Sequence, residues 1–261
     1  MDFKSFFRLF WNSNTMRLIR NESGIRSVSH VFPQDSGLSF SDLHYWRVSQ
    51  SFQTRYVMTD IVSEFLGIDS ASYFLTFLDA NGDFLFKRQL EKYQGLIEVS
   101  IDSGFMGIDA GHGTYYLTII CSDVFDKSIP FSFKNRWYAG YKGARGPFSM
   151  VHGNTLVAWN SLDGGKSGMG MTETTTFRRF RYSLQFDPSV YDSVDLVFIN
   201  PCSKKIEIFL RGSKIVLAPF AVAVAVAETD SGSIISYEST CAFLRPLVMG
   251  NKNEFIDCFH G

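Results

Sequence analysis

Long hydrophobic runs and metal-binding cysteine motifs are missing from this sequence. No run of about eighteen apolar residues occurs, which excludes a membrane-spanning helix, and Lys4 and Arg8 interrupt the segment Met1–Trp11, which argues against a secretory signal. The four cysteines form no C-x-x-C motif and have no histidine pair at zinc-ligand spacing. We therefore expect a cytoplasmic protein with buried, reduced thiols and no metal.

The chain also lacks a strong charge of either sign. Its net charge of -1 excludes a domain that coats itself with nucleic acid, because such domains carry a basic excess. Aromatic residues are abundant instead, with 26 Phe and 11 Tyr against seven Pro, and this composition favours β-structure. A chain of 261 residues can form one large domain or two modest ones.

Short alternating segments separated by turn residues predict antiparallel strands. Asp79–Asp83 contains an Asn-Gly pair between the apolar segments Tyr73–Leu78 and Phe84–Leu90, which predicts a hairpin. The loop begins like a calcium-binding EF-hand, but Phe84 and Leu90 occupy positions where that motif needs Gly and Glu. The loop is therefore predicted to be a hairpin tip without a metal.

The C-terminal half repeats this order of elements. Val194–Ile199 and Ile206–Arg211 flank a polar turn, and Ala221–Val226 is apolar on both faces, which predicts a central strand. The predicted fold is all-β, with two antiparallel β-sandwich-like lobes at residues 1–125 and 126–261. The similar order of strands leaves an internal duplication open as an alternative.

The N-terminus has the pattern of a short amphipathic helix. Its aromatic residues fall on one helical face: Phe3, Phe6, Phe7, Phe10 and Trp11. Such a helix either packs on the body of the protein or contacts a membrane surface or a partner, because exposed aromatic rings with flanking basic charge suit a lipid interface. Membrane association is therefore an alternative to a purely cytoplasmic location.

Positive charge is concentrated between Lys134 and Arg181. Eight basic residues stand there against two acidic ones, a local charge of +6, so the rest of the chain sums to -7. Aromatic residues and glycines are interleaved with these charges. The segment therefore predicts an anionic ligand or partner, with a charged sheet surface as the structural alternative.

Carbohydrates need flat apolar faces together with planar hydrogen-bonding groups, and this segment supplies both. The predicted ligand-binding residues comprise arginines for the anion, rings for stacking and an amide for hydroxyl groups: Arg136, Arg145, Arg179, Trp137, Tyr138, Tyr141 and Asn154. The guanidinium group of arginine can donate two parallel hydrogen bonds to one carboxylate, phosphate or sulfate group. A purely architectural role for the same residues is the alternative.

Catalysis is the second possibility. His152 and His260 are candidate general bases because imidazole titrates near neutral pH, and Glu173 is the carboxylate nearest in sequence to the basic segment. No second carboxylate can be named, so a glycosidase pair is not supported. No cofactor is predicted.

Three segments resemble uncharacterised bacterial β-rich proteins associated with surface-polysaccharide gene neighbourhoods. They read N-R-W-Y-A-G-Y from Asn135, V-H-G-N from Val151 and D-C-F-H-G from Asp257. The resemblance implies a glycan ligand and assigns no catalytic residue. The predicted function is binding of an anionic carbohydrate or sugar phosphate, with two alternatives: a glycan- or glycolipid-modifying enzyme, and an assembly subunit that forms a homo-oligomer and docks an acidic partner.

Overall fold

The structure of the chain is a computed structural model. The described residues are 2–11, 13, 15–16, 19, 27–28, 38–40, 42–60, 63–64, 67, 69–91, 95–120, 137–153, 173–174, 178–202, 204–227, 234–242 and 244–261. Among the predicted site residues, Arg136 and Asn154 lie outside this set.

Strands dominate the described part of the chain. Among the described residues, helix α1 spans Phe3–Trp11, helix α2 spans Ser103–Met106, and a 3-10 turn spans Pro188–Val190. The strands are β1 Ser27–Val28, β2 Leu38–Phe40, β3 His44–Val48, β4 Gln53–Thr59, β5 Ser72–Asp79, β6 Phe84–Gln89, β7 Leu96–Ile101, β8 Gly111–Ile120, β9 Tyr138–Lys142, β10 Ser149–His152, β11 Glu173–Thr174, β12 Phe180–Gln185, β13 Ser193–Ile199, β14 Ile206–Leu210, β15 Ser213–Leu217, β16 Val222–Ala227, β17 Ile234–Ser239, β18 Leu247–Lys252 and β19 Phe255–His260.

These strands form four main antiparallel sheets. Sheet I has the order β2-β8-β5-β6, with β3 also paired to β8, and sheet II has the order β10-β9-β4-β7. Sheet III is β12-β17-β14-β15, and sheet IV is β16-β13-β18-β19. A separate two-stranded ladder joins β1 to β11. The prediction of an all-β protein is confirmed.

The prediction of two sandwich-like lobes is wrong. The four sheets are arranged as the blades of a four-bladed β-propeller. One buried cluster lies between sheets I and II and a second between sheets III and IV, while a third joins sheets I, II and IV. This third cluster connects the two halves of the chain.

Burial of β13 on both faces explains the error. Leu196 and Phe198 point into the cluster shared with sheet III, whereas Val197 and Ile199 point into the cluster shared with sheets I and II. A strand in a sandwich lobe would bury one face and expose the other. Sheet IV is instead covered on both sides.

The two halves do not repeat one plan. The first predicted hairpin is present, because β5 pairs with β6. In the second half, β13 belongs to sheet IV and β14 to sheet III, so the turn between them changes sheets. Asn200 holds this turn: its buried Nδ2 donates to the carbonyl oxygens of Lys204, Leu217 and Ala218 at 2.8, 3.2 and 2.7 Å.

The Ala-Val segment predicted as a central strand lies at an edge. The strand β16 is at the end of the order of sheet IV among the described strands. Ala223 and Ala225 pack against the core, while Val226 remains 67% exposed. The alanine side of β16 therefore faces the cluster shared with sheet III, and Val224 and Val226 are exposed.

Pairing in sheet II crosses the predicted boundary at residues 125 and 126. The strand β9 pairs with β4, with Tyr141 opposite Thr54 and Ala139 opposite Tyr56. The strand β10 then pairs with β9. Residues assigned by sequence to the C-terminal lobe thus complete a sheet that begins in the N-terminal half.

The predicted N-terminal helix is present as α1. Its aromatic residues stack in sequence, with 6.5 Å between the ring centroids of Phe3 and Phe7 and 5.8 Å between those of Phe7 and Trp11. Within the described part of the chain, no helix has the length and apolarity needed to cross a bilayer.

Candidate functional site

Two of the predicted stacking rings are buried in the core. Trp137 belongs to the cluster between sheets I and II, and Tyr141 belongs to the cluster that joins sheets I, II and IV. The Tyr141 hydroxyl donates to the Tyr45 carbonyl oxygen at 2.8 Å, and burial raises the pKa of Tyr141 well above its usual value. Neither ring presents a face to a ligand.

Two of the predicted arginines are paired with carboxylates. Arg145 Nε lies 3.1 Å from Glu254 Oε2. Arg179 lies 3.7 Å from Glu238 Oε2, and its guanidinium carbon sits 3.7 Å from the centroid of the Phe209 ring. Arg179 is beside sheet III, so the structure does not place it on the sheet that carries the other described candidates.

The three candidate catalytic residues occupy different places. Glu173 lies in the small β1–β11 ladder, opposite Val28. His152 ends β10, and His260 ends β19, where its Nε2 lies 2.7 Å from the His152 carbonyl oxygen. The ends of β10 and β19 are therefore in contact, and the contact joins the His260 ring to the backbone of His152.

Tyr138 and His152 are the predicted site residues that the structure brings together. They are directly opposite each other on β9 and β10, and their ring centroids are 4.2 Å apart. Tyr138 is 46% exposed and His152 is half-buried, with its Nδ1 at 3.4 Å from the Trp137 carbonyl oxygen. The pair forms an accessible aromatic surface.

This pair lies on a continuous solvent-facing side of sheet II. Side chains alternate along each strand, so Tyr138 and Lys142 point outward while Ala139 and Tyr141 point into the core. We call this surface the outer face of sheet II and define it by residues from four strands and one loop: Arg55, Glu98, Tyr138, Lys142, Phe148 and His152.

Arg55 is the central cation of the outer face. Its Nη1 lies 2.9 Å from Glu98 Oε1, and its guanidinium carbon lies 4.0 Å from the centroid of the Phe148 ring. Lys142 Nζ lies 5.9 Å from the same ring. The two cations and one carboxylate leave this face with a net positive charge, beside the rings of Tyr138 and His152.

Gly140 allows this packing over the middle of the sheet. A Cβ atom on Gly140 would lie 2.4 Å from Met150 Sδ and 3.2 Å from Phe148 Cδ1. The Phe148 ring and the Met150 side chain therefore approach the strand where glycine has no side chain. This is the position at which a glycine of the basic segment shapes the surface.

The spacing across the outer face does not suit paired acid and base catalysis. His152, Tyr138, Val57 and Glu98 form one row across β10, β9, β4 and β7. His152 and Glu98 are three strand spacings apart, about 14 Å, whereas the paired groups of glycosidases lie about 5 to 9.5 Å apart. Within the described residues, no group of His, Cys, Asp and Glu side chains could hold a metal ion.

Sequence reasoning missed Arg55, Lys142 and Phe148 as surface partners. Arg55 lies outside the basic segment, and its position became visible only through the pairing of β4 with β9. The alternation of Gln53–Thr59 was the available signal, because it places Arg55 on the face opposite Tyr56.

A second charged group lies between sheets I and IV. Arg47 Nη1 is 3.5 Å from Asp195 Oδ2, and Arg47 is opposite His112 in the pairing of β3 with β8. Burial, and then the charge of Arg47, lowers the pKa of His112. Burial raises the pKa of Asp195, and Arg47 opposes that shift. The group joins the two halves of the chain, and its His112 lies in β8.

Comparisons with known proteins give little guidance. No family model and no curated protein matches the chain. Among solved structures, the chain is similar to that of the M60 catalytic domain with the CBM51-1 and CBM51-2 domains from Clostridium perfringens ZmpB, at 10% sequence identity, 83% coverage of this chain and a TM-score of 0.17. This chain spans 33% of the length of that structure's chain. A likeness at that TM-score carries no argument about fold, ligand or activity.

Proposed function

We propose that the chain binds an anionic carbohydrate on the outer face of sheet II. The observation that carries the proposal is the joint exposure of the Tyr138–His152 ring pair beside Arg55 and Lys142 on one sheet face. Aromatic rings cover the C–H faces of sugars, and guanidinium and ammonium groups bind carboxylate or sulfate. The proposed site therefore keeps Tyr138 and His152 from the sequence prediction and replaces the other described members.

Binding is favoured over turnover. His152 and Glu98, three strand spacings apart, are too far from each other to act together as an acid and base pair. The His152 ring can still donate or accept a hydrogen bond to a sugar hydroxyl. His152 is thus assigned an orienting role.

Docking of an acidic protein partner on the basic segment between Lys134 and Arg181 is the less favoured proposal. Arg179 and Arg181 both contact Glu238, at 3.7 and 2.8 Å, so their charge is partly neutralised within the molecule. The outer face of sheet II carries two cations for one carboxylate and exposed rings besides. This combination of cations and exposed rings suits a sugar polymer better than it suits the charged surface of an acidic protein partner.

Calorimetric titration with matched oligosaccharides tests the proposal. A sulfated and an unsulfated oligosaccharide of the same backbone, a uronate oligosaccharide and a hexose phosphate separate the charge from the sugar. Arg55→Ala removes a charge-assisted contact and should weaken binding of the anionic oligosaccharides by about 1.5 to 3 kcal/mol. Tyr138→Ala should weaken the same binding by about 1 kcal/mol.

Two substitutions elsewhere serve as matched controls. Arg181→Ala removes another exposed arginine that is paired with a glutamate, and Phe255→Ala removes another exposed ring. Both should bind as the wild type does. Equal affinity of Arg55→Ala, Tyr138→Ala and the wild type would overturn the proposal, as would an equal loss in the two controls.

A further inference from the structure

The aromatic face of α1 is exposed although it is the most apolar helical surface of the described chain. Phe3, Phe6, Phe7 and Phe10 are 80, 56, 52 and 51% exposed. A packed amphipathic helix would bury these rings against the body. An isolated helix of nine residues is marginally stable in water, so a contact surface for the four exposed phenylalanines would stabilise α1.

We propose that α1 docks flat on the surface of an anionic lipid bilayer. The rings of Phe3, Phe6, Phe7, Phe10 and Trp11 fall within an arc of about 140° at about 100° per residue. Lys4 and Arg8 flank one side of this arc, and the helix contains no acidic residue. Aromatic rings at the level of the headgroups with adjacent basic charge match an anionic lipid interface.

The length of α1 determines how it can meet a membrane. Nine residues extend about 13 Å, less than half of the roughly 30 Å hydrocarbon core, so the helix lies in the interface and does not cross it. The stacked rings of Phe3, Phe7 and Trp11 form a row along the helix axis. Such a row can enter the interface along its whole length.

A second copy of the chain fits this face less well. Four phenylalanines at these exposures present roughly 350 to 600 Å². A protein interface of standard size buries about 800 Å² per partner. The basic flank would also place like charges together in a symmetric pair of helices.

Vesicle co-sedimentation of the full chain tests the proposal. Wild-type protein should bind phosphatidylcholine vesicles that contain phosphatidylglycerol, and the binding should weaken as salt increases. The double variant Phe3→Ser/Phe7→Ser should bind at least tenfold more weakly. Lys4→Gln should bind the anionic vesicles about fivefold more weakly.

Controls separate the helix from the sheet surface. Phe84→Ser removes a phenylalanine that is 65% exposed on β6, and it should bind vesicles as the wild type does. Arg55→Ala/Lys142→Ala, which disables the proposed carbohydrate site, should also retain vesicle binding. Because this inference does not depend on the proposed function, either can fail alone.

Three results would overturn the inference. The first is that the wild type fails to bind anionic vesicles, and the second is that Phe3→Ser/Phe7→Ser binds them as tightly as the wild type does. In the third, light scattering without lipid shows an oligomer that Phe3→Ser/Phe7→Ser dissociates, which would make a second copy the occupant.

Discussion

Gly82 shows how a single residue of a local turn acts at long range. Its φ of +87° meets the expectation for an Asn-Gly hairpin, and Asp79 Oδ1 accepts from the backbone N–H groups of Asn81 and Asp83 at 2.8 and 2.9 Å. Asn81 and Asp83 are exposed, but the Ala80 side of the tip contacts the C-terminal half of the chain. The Ala80 carbonyl oxygen accepts from Val222 N at 2.9 Å, so the hairpin holds the turn before β16.

We expect Gly82→Ala to destabilise the fold by about 2 kcal/mol or more. An added Cβ would combine an unfavourable positive φ with a distance of 2.1 Å from the Pro219 carbonyl oxygen. Gly212→Ala is the matched control, because Gly212 also has a positive φ but nothing within 4 Å of the added atom. Chemical denaturation of the two variants measures the difference, and an equal loss in both would show that the clash is relieved.

Side-chain alternation accounts for the failure of the predicted ring cluster. In a strand, Trp137 and Tyr141 point to one face and Tyr138 to the other, so the three rings could not stack on one ligand. The alternation of side chains in the sequence was therefore enough to assign the three rings to two different faces. Which face turned inward depended on the core contacts of Tyr141 with β3.

At the scale of elements, the last hairpin supports the strand that carries His152. Cys258 N donates to Ser149 Oγ at 2.9 Å, and His260 Nε2 contacts the His152 carbonyl oxygen. These bonds connect β19 of sheet IV to β10 of sheet II. The proposed binding surface is thus held by an element from another sheet.

Ser149→Ala should lower the free energy of unfolding by about 1 to 3 kcal/mol. The substitution leaves the Cys258 N–H at the boundary of the two sheets without its acceptor. Ser149→Thr keeps the hydroxyl and should recover most of the loss. Urea denaturation provides the measurement, and a stability of Ser149→Ala equal to that of the wild type would mean that the bond contributes nothing.

At the scale of the whole molecule, the two halves depend on each other. The cluster between sheets I and II includes Trp137, which directly precedes β9, and the third cluster includes residues of β9 and of sheet IV. Because β13 is buried on both faces, it belongs both to the third cluster and to the cluster between sheets III and IV. The Arg47–Asp195 pair adds a charged contact across the same boundary.

A fragment of residues 1–125 should therefore fail to fold. It lacks β9 and β10, so β4 loses a partner strand and Tyr56 loses its neighbour Ala139. Far-ultraviolet circular dichroism and amide proton dispersion would report the outcome. A fragment that melts cooperatively on its own would show that the predicted boundary at residue 125 separates independent units.

The stability of the folded chain should depend on pH through His112, which lies with Arg47 at the contact between the two halves. Because the folded pKa lies below 6.5, the unfolded chain binds more protons in this range and stability increases with pH. Relative to His112→Gln, the wild type should retain full stability above pH 6.5 and lose it as the pH falls through the lowered pKa. Arg47→Met should reduce this loss without abolishing it, because burial is the larger cause.

Denaturation curves at a series of pH values check this sign. A wild type that gains stability relative to His112→Gln on acidification would contradict it. The comparison of the two proteins at each pH removes the contribution of all other titrating groups.

By itself the sequence determined the β class, the β5–β6 hairpin, the amphipathic helix and the division of each strand into two faces. These features depend on residue period and turn chemistry, which act over a few neighbouring positions. Tertiary structure alone decided that sheet IV is covered on both sides, that Arg145 and Arg179 are paired with carboxylates, and that Arg55 joins Tyr138 and His152. Those outcomes depend on contacts between residues far apart in the chain, and no local pattern specifies which of two apolar faces finds a partner.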